Sequence, residues 1–262
     1  MQMAARRRRM GGFSPLTLFA AGEPGVWLDP SDLSTLFQDD AGTTPVTAAG
    51  QSVGRILDKS GRGNHATQAT AAARPIYQVD SSGRGYLSFD GVDDWIVTPT
   101  ITPGTDKAQT FAGVRKLSDT AGIVTELSVN VNNNAGTFYL VAGDDASAQY
   151  SSLGRGDASA ASGQNAKWTT APAPDTAVLT ATHDIASDLS TIRRNGAVGT
   201  SATANKGAGN FLAYPLYIGR RGGATLPFNG NLYGLITRFG PNLTADQISQ
   251  AERWMNARTG AF

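Results

Sequence analysis

Three glutamates, two histidines and the aspartates are the groups from which this chain of 262 residues could build acid–base chemistry. Hydrolysis of a glycosidic bond needs two carboxyl groups about 5–10 Å apart on either side of the bond. Glu23, Glu126 and Glu252 are far apart in sequence. Glu126, in VTELSV, is followed by Leu127, Ser128, Val129 and Asn130, so no second carboxylate stands at strand spacing from it. The adjacent pairs Asp93-Asp94 and Asp144-Asp145 would point to opposite faces in a strand, and in turns such residues cap backbone amides. His65 and His183 lie in no G-x-S-x-G, H-E-x-x-H or P-loop pattern, and each is read as an imidazole bonded to a neighbouring turn. No catalytic residue is assigned, and no enzymatic activity is expected.

Binding chemistry has more to work with. Asp90, Asp93 and Asp94 are hard-oxygen donors that suit calcium, while Asp90 in FDG also suits a turn-forming carboxylate. Cysteine is absent, so no thiolate metal site or disulfide can form. For glycans the useful chemistry is an exposed aromatic face beside polar groups, and Trp168 and Tyr150 are the candidates. Both lie near the ends of a Gly-, Ala- and Ser-rich segment, residues 143–174, which reads as a surface loop or a weak hairpin. Trp95 is read as core. Arg6, Arg7, Arg8 and Arg9 repel one another and call for negative groups nearby, so they are read as an assembly anchor. Net charge is +1, so the chain beyond these four is mildly acidic. With no basic groove and no aromatic interleaving, an acidic partner subunit suits the arm better than nucleic acid.

The elements that must position these residues are mostly strands. Short alternating runs between Val46 and about Ala142 are separated by Gly, Asp, Asn and Pro clusters, the pattern of a sandwich or barrel. Asn195-Gly196 suits a type I′ hairpin turn. Leu216–Ile218 and Leu232–Phe239 are apolar enough for inner strands. Asp29-Pro30-Ser31-Asp32 predicts a short helix carrying Leu33, Leu36 and Phe37. Near the end, Thr244 and Gln247 form a capping box, Leu243 can staple on Ile248, and Gly260 stops the helix. No apolar run approaches the length needed to span a bilayer, so no membrane insertion is expected. The apolar stretch after Arg9 is broken by Gly11, Gly12, Ser14, Pro15 and Thr17, so a cleaved leader is not expected.

Two motifs carry a resemblance. The segment DKSGRGNHAT (58–67), followed by LSFDGVDD (87–94), resembles the laminin-G-like members of the concanavalin A-like lectin/glucanase superfamily. The stretch from Leu18 to Phe37 and the closing GNLYGLITRFGPNLTADQISQAERWMNARTG are similar to such domains in proteins of tailed bacteriophages and prophages. The resemblance implies an all-β, two-sheet antiparallel jelly-roll sandwich over residues 25–262, with a short N-terminal helix, a C-terminal helix and a basic arm over residues 1–24. It implies a virion component of the tail tip, baseplate or fibre, made in the bacterial cytoplasm, that contacts other virion subunits, forms a homo-oligomer such as a trimer, and attaches to host-surface polysaccharide. A lectin module and a capsid decoration protein are the alternatives. The glucanase branch carries a Glu-x-Asp-x-x-Glu strand that this chain lacks. Calcium is the one cofactor the resemblance suggests.

Overall fold

A computed structural model describes residues 12–156 and 165–262. Arg6–Arg9, and the anchor expected there, lie outside the described residues. The first nine strands are β1 (Gly25–Leu28), β2 (Leu36–Phe37), β3 (Arg55–Ile56), β4 (Ala66–Thr67), β5 (Ile76–Val79), β6 (Gly85–Asp90), β7 (Ile96–Ile101), β8 (Lys107–Lys116) and β9 (Gly122–Leu127). They are followed by β10 (Thr137–Ala142), β11 (Tyr150–Arg155), β12 (Ala166–Trp168), β13 (Asp175–Asp184), β14 (Leu189–Arg194), β15 (Ala197–Ala202), β16 (Tyr214–Ile218) and β17 (Asn229–Phe239). Helix α1 (Ala245–Thr259) closes the fold. Sheet A runs β15-β14-β13-β8-β17-β6-β5, with β1 also paired to β17; sheet B runs β12-β11-β10-β9-β16-β7-β4-β3-β2. Their pairings are antiparallel, so the expected two-sheet sandwich is what the chain adopts. No helix among the described residues is long and apolar enough to cross a membrane.

Alternation along the strands sorts side chains into three layers. Between the sheets lie Leu140, Ala142, Leu127, Leu216 and Ile218 from sheet B, facing Ala112, Val114, Leu179 and Leu235 from sheet A. The outer face of sheet A buries Phe111, Val178 and Ile236 against Ala251 and Met255 of α1 and against Leu18 and Phe19 of a 3-10 turn at Pro15–Phe19. That packing joins Pro15–Phe19 to the body of the sandwich. Thr244 and Gln247 form the expected capping box, and Gly260 ends the helix at φ 61°. Glu252, buried on the inner face of α1, accepts from Thr180 Oγ1 (3.0 Å) and Arg193 Nε (2.7 Å) and pins the helix to sheet A.

One local expectation changes, and two are met. The helix read from Asp29-Pro30-Ser31-Asp32 is a single 3-10 turn, Leu33–Thr35, because Asp29 and Asp32 bond Ser31 and Ser34 instead of starting an α-helix. Leu36 and Phe37 are then strand β2. The 143–174 segment contains a strand pair, β11 with β12, in the register Tyr150↔Trp168. Asn195 and Gly196 turn with φ of 52° and 77°, as a type I′ hairpin requires.

The DKSGRGNHAT motif is a carboxylate-centred turn. Asp58 accepts from Trp27 N (2.9 Å), Ser60 N (2.8 Å), Ser60 Oγ (2.7 Å) and Asn64 N (3.0 Å), tying the turn to β1. His65 Nδ1 accepts from Asp58 N (2.9 Å), so this imidazole serves the turn. Replacing Asp58 by Ala strands buried N–H groups of two segments at once. Urea denaturation of Asp58→Ala should show a loss of about 2–4 kcal/mol; a change under about 0.5 kcal/mol would contradict this role for the motif.

Candidate functional site

Sheet A is covered by α1, whereas the outer face of sheet B carries its own small cluster: Ile123, Val131, Tyr139, Val141 and Leu153, with Leu226 packed on it. Directly opposed residues of an antiparallel pair share a face, so the register Leu153↔Tyr139↔Glu126↔Tyr217↔Val97 is one row across five strands. A kink at β9, where the register with β10 shifts between Leu140 and Val141, puts both Ile123 and Glu126 on this face. A cavity of about 310 Å³ opens on it, walled by Tyr139, Asp144, Asp145, Asn165, Lys167 and Arg221 over Val141, Leu153 and Leu226.

The polar wall is charge-paired. Arg221 Nε donates to Glu126 Oε2 (2.8 Å), and its guanidinium lies 5.8 Å from the centre of the Tyr139 ring. Glu126 is fully buried and also accepts from Val131 N. Burial pushes its carboxyl up, and Arg221 pulls it back. Burial, helped by the Asp144 charge, raises the Tyr139 phenol far above its ordinary range, so it remains a hydrogen-bond donor. Lys167 Nζ bridges Asp144 (3.3 Å) and Asp145 (3.9 Å), and Asn165 Nδ2 donates to Asp144 Oδ2 (3.4 Å). In the wall, Asn165 Oδ1 is buried without a hydrogen-bond partner, and Ser151, whose register neighbours Val141 and Lys167 line the cavity, lies wholly buried beside the Tyr139 hydroxyl.

The two aromatic residues singled out by sequence separate here. Tyr150 is fully buried and points between the sheets, so its ring cannot meet a sugar. Its hydroxyl donates to Asp175 Oδ2 (2.8 Å), and Lys116 Nζ sits 4.7 Å over the ring. Trp168 is half-buried at the sheet edge, its Nε1 donating to Thr170 O (3.2 Å). Trp95, read as core, is also half-buried and stacks on Tyr217 with centroids 5.8 Å apart, outside the central core. Arg155 sends a guanidinium nitrogen to Val131 O (3.0 Å) and is almost wholly buried. His183 is buried between Ser152 and Ser190, and burial lowers it to about 3, holding the ring neutral.

Asp90, Asp93 and Asp94 do converge, with ligand oxygens within 4.8 Å of one another. Asp90 Oδ1 caps Val92 N (2.7 Å) and Asp93 N (3.2 Å), and Asp94 Oδ2 accepts from Asp90 N (3.0 Å). They lie in the tight turn before Trp95, away from the cavity described above.

Tyr139, Asn165, Lys167 and Arg221 were not singled out by sequence. Tyr139 sits in FYLVA, a strand buried on both faces, where alternation is invisible. Arg221 had a readable signal: two arginines set among glycines in GRRGG, between two inner strands.

A scan against models of known protein families finds no match, and no curated protein sequence matches. Solved structures do. An arabinofuranosidase complexed with arabinofuranosyl-alpha-1,2-xylobiose is similar at TM-score 0.63 and 16% identity, over 94% of this chain and 65% of that one. Trypanosoma rangeli sialidase is similar at TM-score 0.54 and 14% identity, over 90% of this chain and 32% of that one. The binding domain of botulinum neurotoxin serotype D is similar at TM-score 0.54 and 10% identity, over 88% and 52%. The chain thus spans from about a third to just under two thirds of the structures it matches. At such identities the shared property is the fold, a two-sheet β-sandwich. These matches overturn the expectation of a chain without enzymatic activity. Sandwiches of this shape occur in a sialidase and an arabinofuranosidase, so the missing Glu-x-Asp-x-x-Glu strand does not exclude hydrolysis.

Burial, reinforced by the charges of Asp90 and Asp93, raises the Asp94 carboxyl from 3.8 to about 7. The folded protein keeps this proton up to about pH 7 while the unfolded chain loses it near pH 4, so stability falls as pH rises between those values. Asp94→Asn should therefore be more stable than the parent at pH 8, by at most about 4 kcal/mol, with the gap closing by pH 4. Thermal unfolding across that range checks this; a gap independent of pH would contradict it.

Proposed function

We propose that this chain is a glycan-recognising β-sandwich that takes up polysaccharide on the outer face of sheet B. The observation that carries the reading is the cavity itself, whose wall presents Tyr139, Asn165, Lys167 and Arg221 above an apolar floor of Val141, Leu153 and Leu226. Polar side chains around an apolar floor suit a sugar unit, whose hydroxyls would pair with the wall while its C–H face lies on the floor. The fold shared with carbohydrate-active proteins is in keeping with this use.

Hydrolysis is the second reading, favoured by Asp144 and Asp145 in the same wall. Glu126, fully buried and held by Arg221, is out of reach of a substrate.

The setting we propose is the particle of a tailed bacteriophage, at the tail tip, baseplate or fibre, with host-surface polysaccharide as ligand. The support is the likeness of the Leu18–Phe37 stretch and of the closing strand and helix to such domains in phage proteins. Arg6–Arg9 would then dock on acidic neighbouring subunits, and a trimer follows by analogy with phage architecture. Calcium would be held by Asp90, Asp93 and Asp94, whose oxygens suit a hard cation.

Immobilised bacterial and plant polysaccharides should retain the intact chain, and Asn165→Ala or Arg221→Ala should weaken retention about tenfold or more. Release of reducing sugar from a retained polysaccharide, abolished by Asp144→Asn, would establish hydrolysis. Retention of none of them would sink the glycan reading. Millimolar calcium should raise the melting temperature of the parent more than that of Asp94→Asn; equal shifts would remove calcium. A chain lacking residues 1–11 should fold and bind glycan yet fail to enter particles, and normal incorporation would refute the anchor.

A further inference from the structure

The free edges of the two sheets meet at β12 and β15. Lys167 N donates to Thr200 Oγ1 (2.7 Å), and that hydroxyl donates to Lys167 O (3.1 Å), so a single side chain joins the edges. Beside this join lies a second cavity of about 260 Å³, lined by Trp168, Thr169, Thr170, Val198 and Thr200. Lys167 borders both this cavity and the one on the outer face of sheet B.

Trp168 is held in place from behind. The Arg194 guanidinium lies 5.7 Å from its ring centre, and Arg194 is in turn paired with both oxygens of Asp175. Asp175 also accepts the Tyr150 hydroxyl, so the buried tyrosine supports the indole at one remove. The indole N–H is already used on Thr170 O, which leaves apolar ring surface as what Trp168 offers a ligand. Val198, 64% exposed, adds an apolar wall, and Thr169 and Thr170 are exposed hydroxyl bearers. An aromatic face beside hydroxyls matches one sugar unit, with its apolar C–H face and polar rim. A peptide strand fits less well, because the backbone N–H and C=O of Lys167 at this edge are both taken by Thr200 and leave no ladder to extend there.

We propose that the two cavities are consecutive subsites on one path across β12, so that the ligand is a polymeric glycan gripped along its length rather than a single terminal sugar. This rests on the glycan reading of the first cavity. Each cavity lies near or below the small end of the range for ligand pockets and suits one or two units, whereas the two joined at Lys167 accommodate a longer chain.

The test uses the full chain, with xylan, arabinoxylan and bacterial O-polysaccharide as probes, each offered as polymer and as size-fractionated di-, tetra- and hexasaccharide. For a bound polymer, affinity should rise about tenfold or more from disaccharide to hexasaccharide. Trp168→Ala should lose that gain and keep the disaccharide affinity. Val198→Arg, a change at an exposed position that leaves the core intact, should do the same by filling the second cavity, and Trp168→Phe should keep part of the gain. Asn165→Ala should weaken every length alike. Equal affinity for short and long fragments, or a gain that survives both Trp168→Ala and Val198→Arg, would overturn the two-subsite path while leaving the first cavity standing. Retention of none of the polymers by the parent chain would remove the glycan reading and this inference with it.

Discussion

Two stacked sheets have two faces left over, and among the described residues one α-helix is there to cover them. Helix α1 and the Pro15–Phe19 turn bury the outer face of sheet A, with Met255 and Ala251 set against Phe111, Val178 and Ile236. The clamp from Glu252 to Arg193 and Thr180 keeps the helix there. Sheet B has no helix of its own among the described residues, so its outer face must either be polar or be met by something else. It is largely polar: Glu126, Arg221, Lys167, Asp144 and Ser151 surround a small apolar patch. The location of the candidate site follows from how the covering elements are shared out.

Burying ions is costly unless each is paired and hydrogen-bonded. The Glu126–Arg221 pair meets that condition, with Val131 N donating to the second carboxylate oxygen. The neighbouring Asn165 Oδ1 is buried without a partner. A polar wall over an apolar floor is a surface that a ligand rich in hydroxyls fits.

How much of this is legible in the sequence depends on how local the cause is. The C-terminal helix, the Asn195-Gly196 hairpin and the Asp58 turn are set by contacts a few residues apart, and their caps and glycines can be read directly. The Asp29–Asp32 stretch misleads because its carboxylates bond the serines two residues on, and Lys59 and Arg258 then bind Asp29 from distant segments. Strands β9, β10 and β11 are buried on both sides, so nothing local says which of their residues faces the cavity. Tyr150 illustrates this. A tyrosine in a Ser- and Gly-rich stretch looks exposed, yet its register with Ala142 turns it inward. Trp168, its partner in the next strand, stays half-exposed because β12 is the edge.

Hydrogen exchange of the full chain with and without a saturating polysaccharide tests the central claim most directly. Ligand on the outer face of sheet B should slow exchange of amides in residues 139–142, 150–153 and 165–168 and leave those of α1 unchanged. Slowed exchange confined to α1, or to β5 and β6, would place the glycan elsewhere and contradict the account.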